Sequence, residues 1–262
     1  MKIRGIAGLA SVAIAAIALT SCGDDEPSPK GGGGDNDKPA AARSLTVTVD
    51  ESQLTYENLE IVLSNGATYK YENVPFGTVT VTVEDFPRSV EELERLKLPN
   101  GMTDIHQNLY LQPLLMVCAL NELNYDRDVA RAMIDYVGKG VKSQSRDGEL
   151  IHYPGEGVST ADPTEWSQAK QYSRFDKVRS YFEGATSGNN YTPATKPYVM
   201  KLELNNYSYT ADKDCVQVWL TSTQLASKKP LQVWKYDSDG DGSYDYFWTS
   251  TFRSLLHSLA EY

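Results

Sequence analysis

Hydrophobic and polar positions alternate with period two through most of residues 44–84. Leu45-Thr46-Val47-Thr48-Val49 is one such run, and Leu59-Glu60-Ile61-Val62-Leu63 is another, ending at the turn pair Asn65-Gly66. Tyr69-Lys70-Tyr71 continues the pattern. After Pro75 and Gly77, Thr78-Val79-Thr80-Val81-Thr82-Val83 places Val on one face and Thr on the other. The segment is predicted as a small all-β module. At roughly 40 residues it would be marginal alone, so it is expected to lean on the domain carboxyl-terminal to it.

The period changes after Pro87. Ser89 and Glu92 have the spacing of a capping box, and Val90, Leu93 and Leu96 form an apolar stripe that Pro99-Asn100-Gly101 stops. Residues 109–123 are apolar almost all round, which predicts a buried central helix. Asp126 or Asp128 can cap a third helix with Val129, Met133, Ile134 and Val137 inward and Gly138 as its stop. Residues 139–163, rich in Gly, Ser and Pro, read as a long loop, and 163–175 as a short helix. Strand patterns then return at 198–204, 215–221, 231–236 and 244–252, with a terminal helix over 254–262. Helices followed by an antiparallel meander predict an α+β domain over 85–262, preceded by the β module at 44–84.

Two resemblances bear on this outline. Asn73-Val74-Pro75-Phe76-Gly77-Thr78 before a Thr/Val strand resembles the last hairpin of prealbumin-like sandwich modules. Tyr181-Phe182-Glu183-Gly184-Ala185-Thr186, then Asn189-Asn190-Tyr191-Thr192-Pro193 and Pro197-Tyr198, resembles a family of uncharacterised bacterial domains with the phrase Y-F-x-G-A-T-P-x-N-N-Y-T-P. Asp85-Phe86-Pro87-Arg88-Ser89, the Pro-Leu-Gln-Val-Trp run at 230–234 and Tyr246-Phe247-Trp248 extend the likeness over roughly 85–255. Ser187 stands where that family carries Pro, and the final turn is enlarged by acidic residues. The resemblance implies no catalytic residues. The order of elements is also similar to cystatin and NTF2-like folds, in which a curved sheet wraps a helix around a pocket.

The amino terminus carries an address. Lys2 and Arg4 precede an apolar run from Gly5 to Leu19, which ends in the lipobox Leu19-Thr20-Ser21-Cys22. Residues 1–21 are therefore predicted as a lipoprotein signal peptide, with Cys22 as the acylated (palmitate-type) first residue of the mature chain. Multiple acyl chains are needed for stable anchoring, and lipoprotein processing supplies them. Residues 22–43, with prolines, Gly31 to Gly34 and no apolar periodicity, are predicted as a flexible linker with a reach of roughly 25 Å. Asp24-Asp25-Glu26 directly after the cysteine resembles a surface-export signal, which favours the cell surface over the periplasmic face of the outer membrane.

Composition narrows the partners. The 262 residues include 35 acidic and 25 basic side chains, a formal charge of −10 that becomes −12 once Lys2 and Arg4 leave with the signal peptide. Such a chain repels phosphate backbones, so no nucleic-acid partner is expected. Partners are expected to be the membrane, through the anchor, and a glycan, peptide or envelope protein.

Candidate chemistry is sparse. Asp237, Asp239 and Asp241 occupy positions 1, 3 and 5 of an EF-type loop, Gly242 the turn, Ser243 position 7 and Asp245 position 9, but Trp248 stands where the bidentate Glu belongs. Calcium is the candidate cofactor and a plain acidic turn the alternative. Trp219, Trp234 and Trp248 could form a stacking platform on one sheet face or one layer of the core. His106, His152 and His257 have no zinc spacing, and no nucleophile-elbow, S-x-x-K or P-loop motif occurs. Cys118 and Cys215 sit in apolar runs and are expected to be buried, unpaired thiols. The expected role is a binding or interaction module at the cell envelope. The alternative is an envelope or polysaccharide hydrolase with an unrecognised carboxylate pair.

Overall fold

The structure is a computed structural model that describes residues 42–138, 175–237, 244–249 and 251–260, with only the backbone of 142–146, 149–153 and 257–260. The predicted signal peptide, Cys22 and nearly all of the linker lie outside the described residues. The described chain is a mixed α and β fold built on a six-stranded antiparallel sheet.

The alternating runs of residues 44–84 fuse into one long hairpin. β1 spans Val47–Val62 and β2 spans Thr68–Val83, each absorbing two of the short runs seen in the sequence. Register shifts at Asp50/Gln53 and Glu57/Leu59 take up the breaks in alternation. Beside the second, Asn73 adopts a left-handed φ of 53°, and its N–H donates to Asn58 Oδ1 at 2.9 Å. Pro75 fits inside β2 because the strand on its other side, Tyr198–Leu204, pairs only with residues 77–83, so the Pro75 stretch has a single strand neighbour. Gly77, at φ 123°, lies where a Cβ would meet Gln53 O at 2.4 Å, so the two strands close only over a glycine.

The chain then leaves the sheet. α1 spans Val90–Glu94, α2 spans Leu111–Glu122 and α3 spans Arg127–Val137. Every residue of α2 is buried, as its unbroken apolar character predicts. A Leu or Met buried there contributes about 1.5–3 kcal/mol, against roughly 1–2 kcal/mol for ordering one residue, so packing and not helix propensity holds α2. α3 is capped by Asp126, whose carboxylate accepts from the N–H groups of Asp128 and Val129. It buries Ala130, Met133, Ile134 and Val137. Gly138 ends it at φ −80°, without the left-handed turn expected of a terminal glycine.

The segment after α3 also departs from expectation. Part of the predicted long loop is a hairpin of β3, Lys142–Arg146, and β4, Glu149–Tyr153. The signal was present: two residues, Asp147-Gly148, separate the strands, a pair favoured in two-residue hairpins. The polar composition of the flanks masked it. The helix expected over 163–175 lies almost wholly outside the described residues.

The return to strand agrees with the predicted meander. β5 is Tyr198–Leu204, β6 Cys215–Leu220, β7 Lys229–Tyr236 and β8 Tyr246–Trp248, the last shorter than its apolar run. α4 closes the chain at Arg253–Ala260. β5 pairs with β2, so the sheet order is β1-β2-β5-β6-β7-β8 and the amino-terminal hairpin is continuous with the meander. Residues 41–262 form one compact unit. Val79, Val81, Val83, Met200, Leu202, Leu204, Val216, Val218, Leu220, Leu231 and Val233 make the core face of the sheet. Thr78, Thr80, Lys201, Glu203 and Trp219 alternate with them toward the other face.

Candidate functional site

The most chemically dressed concavity lies where the family-like opening, the end of α2 and the start of β5 converge. It is an open cavity of about 340 Å³. Its rim holds three guanidinium groups from distant parts of the chain, Arg43, Arg88 and Arg179, with Asp85, Asn121 and Tyr125 between them.

Local structure explains each position. Ser89 caps α1, its Oγ accepting from the Glu92 N–H at 3.1 Å. The return half of the expected capping box is absent, because the Glu92 carboxylate turns to Arg43 and to the Arg88 N–H. Arg43 thus binds Glu92 through Nε and Nη2, each at 2.8 Å, and Asp85 through Nη1 at 3.1 Å. The end of the linker is thereby fixed at the rim. Arg88 donates through Nε and Nη2 to both oxygens of Glu122, which is 3% exposed on the last turn of α2. A buried carboxylate is tolerated only with such a partner, since losing one member of a buried pair costs roughly 3–5 kcal/mol. The Arg88 guanidinium also stacks 3.8 Å over the Tyr125 ring.

Arg179 differs from the other two. Its Nε donates to Asn121 Oδ1 at 2.6 Å and its Nη2 to Tyr125 OH at 2.5 Å. Both partners are neutral, and among the described residues its guanidinium also faces the rings of Phe86 and Tyr125. Phe86 packs edge-on against Phe182 at 5.1 Å and beside Tyr198 at 4.6 Å, so an aromatic wall backs the charged rim.

Electrostatics set the ionisation of the acids here. Burial by itself would raise the Asp85 carboxyl; the Lys196 ammonium, 2.5 Å away, the Phe86 N–H and Arg43 outweigh it and hold the group below the usual carboxylate range. Glu92 behaves likewise, with burial opposed and overcome by Arg43 and the Arg88 N–H. A glycosidase-type general acid needs the opposite shift. These carboxylates are built to hold arginines in place.

The opposite wall comes from the distinctive loop of the sequence. Tyr181 and Phe182 are plugs in the core, at 1% and 0% exposure. Gly184 turns the chain at φ 77°, with Ala194 packed directly against it. Asn189 staples the loop: its Nδ2 donates to the carbonyls of Gly184 and Thr192, and its Oδ1 accepts from the N–H groups of Thr186 and Thr192. The staple presents Thr192 and Pro193 to the cavity. Ser187 is the first residue of the 3-10 turn Ser187–Asn189, a position that suits Pro.

A second cavity, of about 370 Å³, sits on the other side of this loop. It contains the buried pair Ser180 Oγ–Ser222 Oγ at 2.8 Å, and Lys201. Lys201 pairs with Glu183 at 2.7 Å. A serine nucleophile needs an adjacent base, and an ammonium held by a carboxylate does not act as one.

The residues singled out from sequence fall elsewhere. Trp248 is fully buried, while Trp219 and Trp234 are half-buried on the face opposite Val218 and Leu220. Trp234 and Trp248 are cross-strand partners, but Trp219 faces Pro230, four residues away along β7 and so roughly 13 Å from Trp234. Tyr207, exposed, meets Trp219 edge-on at 6.4 Å. Asp237 follows β7 and Asp245 precedes β8, with Asp245 N–H donating to Tyr236 O at 2.8 Å. Asp239, Asp241 and Ser243 lie outside the described residues. Among the described residues no group of three or more His, Cys, Asp or Glu is arranged to hold a metal. Cys118 and Cys215 are buried and unpaired. Burial pushes the Cys118 thiol up and raises Cys215 to about 12. No described helix is long and apolar enough to cross a membrane.

Sequence reasoning missed Arg43, Arg88 and Arg179. They are lone basic residues in an acidic chain, and only the fold brings them together. The nearest signal was indirect: Arg88 lies in the family-like opening, and Thr192 and Pro193 in the family-like phrase.

Comparison with known proteins places the chain in a family. Residues 85–256 match the family model described as Domain of unknown function (DUF6935), which covers well over half of the chain, and the chain belongs to that family. No curated protein matches, and no solved structure matches.

Proposed function

We propose that this member of a family of domains of unknown function is a lipid-anchored binding module of the outer membrane, with the arginine-rimmed cavity at the end of α2 as its ligand site. The lipobox ending at Cys22 supports the anchor, and Asp24-Asp25-Glu26 favours display at the cell surface over the periplasmic face. The linker at 22–43 gives the domain reach, and Arg43 joins its end to the rim of the cavity. The curved-sheet analogy with cystatin and NTF2-like folds is in keeping with a pocket between helix and sheet.

The observation that carries the reading is Arg179: a guanidinium at the mouth of a cavity, held by Asn121 and Tyr125 and, among the described residues, by no carboxylate. Ligand pockets are concave, largely preformed and carry convergent polar groups, and this cavity sets its guanidinium groups beside Phe86, Tyr125, Pro193 and Tyr198. Two experiments test the reading. Radiolabelled palmitate should enter the wild-type chain and not Cys22→Ala, and protease added to intact cells should remove the domain; label in Cys22→Ala would end the anchor proposal. A small-molecule panel followed by side-chain NMR should perturb Tyr125 and Arg179 first; shifts confined to other residues would end the site assignment.

A further inference from the structure

Resting on that cavity as the ligand site, we infer that its ligand is a small, ring-bearing monocarboxylate whose carboxylate pairs with Arg179 and whose ring lies against Tyr125. Arg43, Arg88, Arg179 and Asp85 line the cavity, and Glu92, Glu122 and Lys196 pair with three of them, which makes four cations and three carboxylates among these described groups. One positive charge is left over, within a chain whose formal charge is −10. The three carboxylates are each engaged by Arg43, Arg88 or Lys196, and so the surplus localises on Arg179.

The donor geometry of Arg179 supports the same class. A guanidinium has five N–H donors, and two of those on Arg179 are used, one by Asn121 and one by Tyr125. The remaining donors match a planar carboxylate, which guanidinium groups bind in a bidentate manner. Asn121 and Tyr125 hold the group in place without neutralising it, so little side-chain entropy remains to be lost on binding. A single surplus charge suits a monoanion. A dianionic phosphate would bring a second negative charge near Asp85, where the described residues offer no second surplus cation.

Size and walls supply the ring. A cavity of about 340 Å³ is at the small end of ligand pockets, which run from roughly 300 to 1,000 Å³, so it fits a monomer-sized molecule and not a long polymer segment. Tyr125 is 54% exposed although the Arg88 guanidinium lies 3.8 Å over its ring, so aromatic surface remains for stacking, and Phe86 and Tyr198 also line the cavity. Asn121 and Thr192 offer polar contacts beside the ring. A sugar acid and an aromatic acid share this chemistry.

The test is isothermal titration of the full-length chain with glucuronate and benzoate, with glucose and benzyl alcohol as uncharged counterparts and inorganic phosphate as the second anion. At least one acid should bind tenfold or more tightly than its uncharged counterpart and more tightly than phosphate. Preference for glucuronate identifies a sugar-acid ligand, and preference for benzoate an aromatic one. Arg179→Gln, which keeps a donor for Asn121, should lose that advantage; Tyr125→Leu, which removes the ring together with the hydroxyl that holds Arg179, should weaken both acids, and Tyr125→Phe, which keeps the ring and loses only the hydroxyl, should bind them more tightly than Tyr125→Leu. If acids and uncharged counterparts bind equally and Arg179→Gln changes nothing, the carboxylate inference is overturned while the cavity stands as a ligand site. Tighter binding of phosphate overturns it in the same way. If no compound of either charge binds, the cavity assignment fails together with the inference.

Discussion

Gly184→Ala is the sharpest perturbation of the loop that walls the cavity. A Cβ added at Gly184 would lie 2.4 Å from Ala194 Cβ, 3.1 Å from Ala194 N and 3.2 Å from Ala194 Cα. Real Cβ pairs stay beyond about 3.4 Å, so one side of the loop must move by roughly 1 Å, and overpacking of that kind costs about 1–3 kcal/mol. The backbone adds a separate term. Gly184 has φ 77°, and a side chain in the left-handed region costs roughly 1–2 kcal/mol. Together the substitution should destabilise the domain by about 2–5 kcal/mol. Urea unfolding followed by Trp fluorescence measures it, with an unchanged m-value as the check that only stability moved. Ala194→Gly separates the two terms. The double variant Gly184→Ala/Ala194→Gly should recover the steric part and leave the backbone part, because the two residues touch and so do not add. A loss under about 1 kcal/mol for Gly184→Ala, or no recovery in the double variant, would refute the packing argument. The same variant should weaken any cavity ligand, since Thr192 and Pro193 are carried on this loop.

Ser187→Pro should stabilise by about 0.4–1 kcal/mol, raising the melting midpoint by roughly 1–4 °C, because Ser187 opens a 3-10 turn and Thr186 before it is extended at φ −129°, ψ 164°; a lower midpoint would show that the loop rejects the ring. Trp248→Ala should cost about 3–5 kcal/mol as a core truncation, whereas Trp219→Ala, half-buried, should cost clearly less in the same urea series; equal losses would place both in one core layer. Burial raises the Cys215 thiol from 9.0 to about 12 and the Tyr71 hydroxyl from 10.0 to about 12. Both groups stay neutral in the folded chain while the unfolded chain ionises, so their contribution is complete below about pH 9 and is lost as pH rises from there to about 12; flat stability between pH 9 and 11 would contradict this. Iodoacetamide at pH 8 should label neither Cys118 nor Cys215 in the folded chain and both in denaturant, read by intact mass.

Periodicity made most of the elements legible. The all-apolar run at 109–123 could only be a buried helix, and α2 is one. Asp126 and the stripe behind it specified α3, and strict alternation specified β2 and β5 to residue accuracy at their carboxyl ends. Local pattern is enough there because each element's buried face is written in its own residues. It failed at 142–153, where polar flanks hid a two-strand pairing that the Asp147-Gly148 pair announces. The same limit applies to Glu92, whose spacing from Ser89 predicts a reciprocal cap: the backbone half formed, but the carboxylate found Arg43, 49 residues away, a partner no local rule contains.

The sequence by itself determined the order of elements, the buried helix and the address at Cys22 as an expectation. Only the tertiary structure decided that the amino-terminal hairpin continues the meander sheet, because the β2–β5 pairing from Gly77↔Leu204 to Val83↔Tyr198 depends on backbone groups that every strand offers alike. It also decided the cavity. Arg43, Arg88 and Arg179 have no common spacing, and their charges act through space over a few ångströms, so their joint field exists only once Glu92, Glu122 and Asn121 have been folded up to hold them.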